Sequence, residues 1–524
     1  MCYDYIVVGS GFGGSVSALR LAEKGYKVAV LEKGKRFETE DLPATNWNLC
    51  KSLWLPRLGL QGIWALSVLK HIFVLHAAGV GGGSLLYANQ LLVPPDRVFN
   101  KPEWRAKNWS EALAPFFEQA KKMLGAVRSP SIGPADEVLR EIGIQIRGKD
   151  TFHINDVGVF FGEPGETVDD PYFGGIGPRR TGCTLCGACM VGCRVGAKNS
   201  LDKNYLFLAE RAGATIIPET EVVGIRQAGE AYEVAARKPS ALTAGIKRFS
   251  ARGVVLSGGV MGTVRLLLKC KADGLLPHLS PTLGNFVRTN SEALIGVKAN
   301  DRKADFSNQI AITSGIYVDD DTHVEVVRFP KHSDLLGTIS TLLTDGGGDQ
   351  PRVLRFARNI VHHPVSFLKT LWPVGWAART SILLTMQTIE NYIRFEYRPR
   401  WWRLGLSSMN SILPAGSEIS HIPSYIPIAN EIARRMGERL NGQPLSSWLE
   451  VLFDIPTTAH ILGGCVMGET KATGVVGFDG QVHGYPNLFV IDGSCIPANL
   501  GVNPSLTITA LAEYLLSRFE PKKA

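Results

Sequence analysis

Gly9, Gly11 and Gly14 are spaced G-x-G-x-x-G directly after the apolar run Tyr5-Ile6-Val7-Val8. An acid, Glu32, ends the next apolar run, Val28 to Leu31, eighteen positions beyond Gly14. At this spacing the first glycine permits a tight turn, the second lets a pyrophosphate approach the backbone, and the third lets helix and strand pack closely. The start of the following helix favours the phosphate charge, and a carboxylate at Glu32 can accept hydrogen bonds from a ribose. A chance glycine-rich turn needs neither the flanking strands nor the acid, so the whole setting points to a dinucleotide. NAD is held mostly within one such unit, whereas FAD is longer and draws on distant segments. Two segments offer themselves. Gly79-Val80-Gly81-Gly82-Gly83-Ser84 either lets backbone approach a ring or is a flexible loop. Asp492-Gly493, after the apolar run Leu488 to Ile491, can reach a ribityl–phosphate region.

A second group of reactive residues is unrelated to the first. Cys183, Cys186, Cys189 and Cys193 read C-x2-C-x2-C-x3-C. Thiolates at this spacing ligate cubane iron–sulfur clusters. Arg194 replaces the usual proline, and the fourth cysteine of such a run ordinarily serves a second cluster, for which this chain has no second run. Cys193 either closes the same cluster or stays free. Two other readings are a structural zinc, although zinc sites usually separate two C-x2-C halves by a longer spacer, and four reduced thiols without metal.

The elements that must position these residues are those of a large α/β protein. The chain has 524 residues, 45% hydrophobic and 20% charged, which sets a prior of about three domain-sized units. Its net charge of +8 is scattered and forms no basic block, which argues against a nucleic-acid partner. The odd total of nine cysteines and the lack of a basic segment before a long apolar one argue against a disulfide framework and a signal peptide. A cytoplasmic protein is the expectation, with peripheral contact to an anionic membrane open to it. The apolar stretches 58–69 and 361–382 are bracketed or broken by Arg57, Lys70, Lys369, Pro373 and Arg379, so no spanning helix is expected. Helices are expected over 15–24, 201–212, 263–269 and 505–518, and strands at 5–8, 28–31, 214–218, 221–225, 253–256 and 488–491. Residues from about 295 to 455 read as mixed strand and loop, with Trp372, Trp376, Trp401 and Trp402 among them.

Several phrases then carry a resemblance. Ile6 to Gly14 with Glu32, Gly79 to Asn89, His460 to Cys465 and Leu488 to Glu513 occur in the order of the glucose–methanol–choline (GMC) oxidoreductases. The phrases GVNPSLTITALAE and H-x-LGG resemble the cholesterol-oxidase branch with non-covalent FAD. Asp170 to Gly175, Arg288 to Glu292 and Asp321 to Arg328 resemble it too, so the likeness spans nearly the whole chain. One departure is Tyr87, where some of these enzymes carry Asn; Asn89 stands two places on.

The resemblance implies oxidation of an apolar alcohol, above all a 3β-hydroxysterol, to the ketone by hydride transfer to flavin N5. It implies His460 and Asn503 as the pair at the reacting oxygen and Glu325 as a carboxylate that moves a double bond afterwards. A lone His460 would be read as a core histidine and a lone Glu325 as a solvent-facing strand residue. Implied FAD contacts are Gly9, Gly11, Phe12, Gly14, Glu32, Gly79, Gly82, Gly83, Ser84, Asn89, Val223, Asp492, Gly493 and Asn503. Some GMC glucose dehydrogenases carry a [3Fe–4S] cluster in an insertion comparable to 183–193. The electron acceptor is O2, or an external acceptor if a [4Fe–4S] or [3Fe–4S] cluster is present.

The expected architecture is mixed α/β: a Rossmann-type FAD-binding domain with an inserted substrate domain bearing an antiparallel or mixed sheet. Its expected division is 1–125, 195–299 and 456–524 for FAD, 126–194 for the cysteine insertion and 300–455 for substrate. Two rival readings are a GMC dehydrogenase for another alcohol or a sugar, and an electron-relay flavoprotein without alcohol chemistry.

Overall fold

The computed structural model describes residues 2–104, 107–241, 245–399, 407–414 and 421–523. Trp401 and Trp402 lie outside the described residues.

Five parallel strands stand side by side in the order Thr215–Ile217, Val28–Leu31, Cys2–Val8, Lys247–Leu256 and Leu488–Val490. Numbered along the chain this is 3-2-1-4-5, the order of a doubly wound dinucleotide-binding sheet. Ile6, Val7, Val28, Val30, Val254 and Val255 are wholly buried, as β-branched residues in a sheet covered on both faces should be. The strand Lys247–Leu256 serves two neighbours along one edge. Its first half pairs with the hairpin Glu221–Ala228 and Ala231–Arg237, and its second half with Leu488–Val490. The helix Phe12–Glu23 follows the first strand, and it packs against the C-terminal helix Ser505–Ser517.

A second sheet is antiparallel throughout. Its order is Ser340–Leu342, Gly442–Ser447, Ala293–Ala299, Thr380–Gln387, Thr322–Val327, Ile312–Tyr317 and His153–Ile154. Alternation along Ala293–Ala299 divides its side chains between two environments. Ala293, Ile295, Val297 and Ala299 pack with the helices Pro134–Arg147 and Pro427–Arg439. Leu294 and Gly296 turn the other way and line a large cavity. The sheet therefore roofs that cavity while its outer face is sealed by helices.

The stretch 295–455, read from sequence as strand and loop, also holds the helices Arg352–His362, Pro364–Thr370 and Pro427–Arg439. In the last of these Ala429, Ile432, Ala433 and Met436 recur at helical spacing and are all buried. Among the described residues no helix is long and apolar enough to cross a membrane.

Helix Pro134–Arg147 is tied to the roof by Asp136. Its carboxylate accepts from Thr313 Oγ1 at 2.7 Å, Ser314 Oγ at 2.5 Å and Arg328 Nη2 at 2.5 Å, and both members of the ion pair are buried. Removing one partner leaves Arg328 uncompensated in a dry site, a loss of about 3–5 kcal/mol. Asp136→Ala should therefore lower the calorimetric melting temperature measurably, and an unchanged melt would show that the pair is not a tie.

Candidate active site

The glycine turn sits where the doubly wound sheet changes direction, between Cys2–Val8 and Lys247–Leu256. Gly9 has φ +97°, and a Cβ there would meet Ser257 O at 2.5 Å; a Cβ at Gly14 would meet Gly9 O at 2.1 Å. A Cβ at Gly11 would meet nothing within 4 Å, because it opens into the cavity. Gly9 and Gly14 thus take the tight turn and the close packing that their spacing predicts, and Gly11 leaves its backbone open to the cavity. Gly13 adds a fourth that the spacing did not predict: its Cβ would meet Ile491 O at 1.8 Å. No side chain caps the helix that starts at Phe12, so its leading N–H groups are left for an anion. Glu32 holds the turn from the neighbouring strand end, accepting from Ser10 Oγ at 2.8 Å and Gly34 N at 2.8 Å.

The cavity has a volume of about 1670 Å³. This exceeds the roughly 300–1,000 Å³ of a single small-ligand pocket. It has room for a dinucleotide and a second molecule. Gly9, Gly11, Phe12, Glu32, Gly82, Gly83, Val223, Asp492, Gly493, His460 and Asn503 all line it. Toward the roof the wall becomes apolar, with Leu294, Phe329, Trp376, Ile382, Leu384 and Leu445. The open Gly11, the uncapped helix start and this wall fit an extended FAD.

Asp492 is held by Thr263 Oγ1 at 2.6 Å, Gly259 N at 2.9 Å and Ser494 N at 2.8 Å. Other expected contacts stand behind the wall. Gly14 is buried beneath the turn, and Gly79 packs against Phe37 and Leu85. Ser84 bridges Gly81 O and Leu201 N at 2.7 and 2.9 Å. Asn89 lines a different, small cavity, shared with all four cysteines of the 183–193 run.

The end of the cavity that holds His460 and Asn503 is built by the segment 288–292. Arg288 exchanges backbone hydrogen bonds with Leu462 at 2.8 and 2.9 Å. Thr289 O accepts from Thr458 Oγ1 at 3.1 Å, and Thr458 Oγ1 accepts from His460 N at 2.9 Å. Asn290 and Ser291 both have positive φ, +62° and +43°, a conformation non-glycine residues keep only when their surroundings impose it. Asn290 Oδ1 accepts from Leu500 N and Gly501 N at 3.0 and 2.8 Å, and its Nδ2 donates to Val502 O at 3.0 Å. Glu292 then meets His460: Oε2 lies 2.6 Å from Nδ1, and Oε1 accepts from Ala459 N at 2.5 Å.

Burial pulls the His460 imidazole toward the neutral form. The charge and hydrogen bond of Glu292, with the charge of Glu325, outweigh it and raise its pKa above the usual value. A proton on Nδ1 toward Glu292 leaves Nε2 as the acceptor of the neutral ring.

Glu325 is completely buried on the roof strand Thr322–Val327. It accepts from Asn503 Nδ2 at 3.2 Å and from Asn155 Nδ2 at 2.8 Å. Burial pushes its pKa up to about 7, against the Asn503 hydrogen bond, the His460 charge and the Asn155 hydrogen bond. Asn503 Oδ1 is buried and has no partner within the protein. Its amide can therefore serve a bound group through that oxygen. His460, Asn503 and Glu325 are brought together. Sequence reasoning missed Glu292 and Asn155, which reach the site from 168 and 170 positions away. Glu292 lay within the phrase Arg288 to Glu292, but spacing alone could not pair it with His460.

Comparison with known proteins agrees with this geometry. Residues 4–47 match an FAD binding domain, and residues 176–276 and 423–512 match the two parts of the GMC oxidoreductases. A cholesterol oxidase of Mycobacterium tuberculosis is 45% identical over 99% of this chain and 91% of its own length. A cholesterol oxidase of Acinetobacter baumannii is 40% identical over 99% of this chain and 95% of its own. The crystal structure of pyridoxine 4-oxidase from Mesorbium loti shares the fold, with TM-score 0.62 and 17% identity over 99% of this chain and 100% of that one. With FAD as cofactor and CH–OH groups as the site of reaction, this chain belongs to the GMC oxidoreductase family.

Proposed function

We propose that the protein oxidises the hydroxyl of a sterol, or of a comparably apolar alcohol, to the ketone. The observation that carries this reading is the apolar wall that runs from the roof sheet to His460 and Asn503 in one cavity. Its support from relatives is the pair of cholesterol oxidases at 40–45% identity. Bound FAD supplies the acceptor for the hydride that leaves the carbinol carbon. The chain's own residues manage the proton and the oxygen. Neutral His460 takes the hydroxyl proton at Nε2, oriented through Nδ1 by Glu292, and Asn503 holds the neighbouring polar group. The remaining electron step gives hydrogen peroxide if O2 is the acceptor.

Because Glu292 raises the His460 pKa, activity that needs neutral His460 rises with pH through that pKa. Glu292→Gln removes the anionic partner, lowers the His460 pKa and moves the acid limb of kcat/KM to lower pH. His460→Ala should lower turnover by about 10²–10⁴-fold. Both variants are to be assayed with a 3β-hydroxysterol, a long-chain alcohol and a sugar. Preference for the long-chain alcohol or sugar would overturn the sterol assignment, and full activity in His460→Ala would favour a relay without alcohol chemistry.

Glu325 suits a second step, the shift of a double bond after oxidation. A carboxylate shielded from water and half-protonated near pH 7 can take a proton from one carbon and return it to another. With a Δ5-3β-hydroxysterol, Glu325→Gln should still produce ketone but accumulate the unshifted isomer, separable by ultraviolet absorbance of the conjugated enone. Conjugated product at the native rate would remove Glu325 from that role.

An apolar substrate has to be drawn from a membrane or a carrier. The pair of helices Arg352–His362 and Pro364–Thr370 exposes Leu354, Val361, Val365 and Leu368, followed by Trp372, and carries Arg355, Arg358 and Lys369. Arg352 Nη1 donates to Glu450 O at 3.2 Å, and Glu450 lies in the cavity wall. This face suits an anionic lipid surface. Co-sedimentation with vesicles containing anionic lipid should fall in Leu368→Glu with turnover of a soluble alcohol unchanged; undiminished binding would exclude this face.

A second reading concerns the acceptor. The four cysteines share one cavity. A cluster held there would make the protein a dehydrogenase that passes electrons to an external acceptor, although among the described residues no three cysteine, histidine or carboxylate side chains converge on one metal ion.

A further inference from the structure

Across the roof sheet the side chains change from polar to apolar and back to polar. Val327, Ile382, Gly296 and Leu445 pair in one cross-strand row, and all four line the large cavity. Two residues along each strand, the same registers set Glu325, Leu384, Leu294 and Ser447 level with one another. Glu325 is the end of this row that meets Asn503. Leu384 and Leu294 form its apolar middle, and both line the cavity. Ser447 also lines it and pairs onward with Ser340 at the edge of the sheet. Neighbouring strands are about 4.8 Å apart, so Ser447 stands about 14–15 Å from Glu325 across the roof.

Glu450 joins Ser447 in the same stretch of wall. The two residues cap the helix Trp448–Phe453 reciprocally. Ser447 Oγ accepts from Glu450 N at 3.3 Å, and the Glu450 carboxyl accepts from Ser447 N. Such a cap works in water and needs no burial, yet Glu450 is only 4% exposed. Arg352 Nη1 donates to the carbonyl oxygen of Glu450 rather than to its carboxylate, at 3.2 Å. Burial outweighs the charge of Arg352 and the Ser447 N–H and pushes the Glu450 pKa up to about 7. A carboxyl buried in this way carries a cost that a further hydrogen-bond partner relieves. Ser447 Oγ accepts in the cap and keeps its own proton to donate.

The chemistry of this pair selects its partner. A hydroxyl can donate to the carboxyl of Glu450 and accept from Ser447 Oγ. A second carboxylate would meet like charge from Glu450 and from Asp454 behind it. A wholly apolar group would leave both residues without a partner. The apolar rows between the two polar ends accept the body of the molecule that joins the two oxygens.

We propose that Glu450 and Ser447 select a substrate with a second hydroxyl remote from the reacting one, a 3β-hydroxysterol hydroxylated in its side chain. This rests on the reading of the large cavity as a sterol-oxidising site. The three strand spacings between Glu325 and Ser447 exceed the length of a four-ring nucleus, so the second oxygen falls in the side chain and not on a ring. Neither Glu450 nor Ser447 reaches the carbinol carbon, so their contribution lies in binding and is read in KM.

The test compares kcat/KM for a 3β-hydroxysterol with that for the same sterol hydroxylated in its side chain. The protein is used with its FAD, as native chain, Glu450→Gln and Glu450→Leu. A site built to hydrogen-bond a hydroxyl rejects the analogue that lacks it. The native protein should therefore favour the hydroxylated side chain by at least about tenfold, with the difference in KM. Glu450→Leu should bring the ratio close to one. Glu450→Gln, whose amide can still donate and accept, should keep most of it. FAD content and thermal melting identify a variant that has failed to fold, and the native ratio decides the matter without either variant. Equal kcat/KM for the two sterols in the native protein, or an undiminished ratio in folded Glu450→Leu, would overturn the inference. Preference for a side-chain carboxylate over the hydroxyl would overturn it as well. Failure to oxidise either sterol, with turnover of a long-chain alcohol or a sugar, would overturn the sterol reading itself and this inference with it.

Discussion

The Asn290 side chain is the joint on which the His460 and Asn503 end of the cavity is assembled. Its amide oxygen receives the backbone of Leu500 and Gly501, and its amide nitrogen holds Val502 O. Those bonds fix the loop that presents Asn503. The same residue sits in a left-handed turn that sends Glu292, two positions on, toward His460. One strained peptide segment therefore sets the positions of the three polar groups that meet in the cavity. The strain, of order 1–3 kcal/mol per residue, is held by bonds that an apolar segment could not make. Thr289 and Arg288 extend the same logic to the His460 loop. The site behaves as a keyed assembly of three distant stretches.

Charge separates the roles of the two acids. Glu292 pairs with His460 and keeps that imidazole basic and oriented. Glu325, held only by neutral amides, is pushed toward protonation by burial. A single carboxylate could not do both, because the environment that stabilises an ion pair is the opposite of one that tolerates a proton near neutrality. Asn503 donates to Glu325, and its own amide oxygen has no partner within the protein.

The opening strand–turn–helix was legible because its signals are local. Gly9, Gly11, Gly14 and Glu32 lie within one short stretch, and hydrophobic runs placed its elements to within three residues, with the first strand and the helix each starting three residues earlier than expected. His460 and Asn503 were legible through the phrases around them. Glu292 was not, since it and His460 are 168 positions apart and nothing in spacing links them. The helix Pro427–Arg439 was legible in principle from Ala429, Ile432, Ala433 and Met436. Asn89 lines the small cavity of the cysteine run and not the large one. Sequence gave its nearness to the glycine run, but its left-handed backbone turns the side chain away from the large cavity.

The pairing of Leu488–Val490 with the second half of Lys247–Leu256 has a consequence for biosynthesis. The fifth strand of the dinucleotide-binding sheet is delivered long after the fourth, as are His460, Asp492 and Asn503. On the ribosome the earlier strands emerge first and leave Val254 to Leu256 with an unpaired edge, a template for mispairing until the last strand arrives. Removal of residues 485–524 would take away the closing strand, Asp492 beside it and the Asn503 amide together. Loss of FAD, misassembly and loss of activity would then be one event.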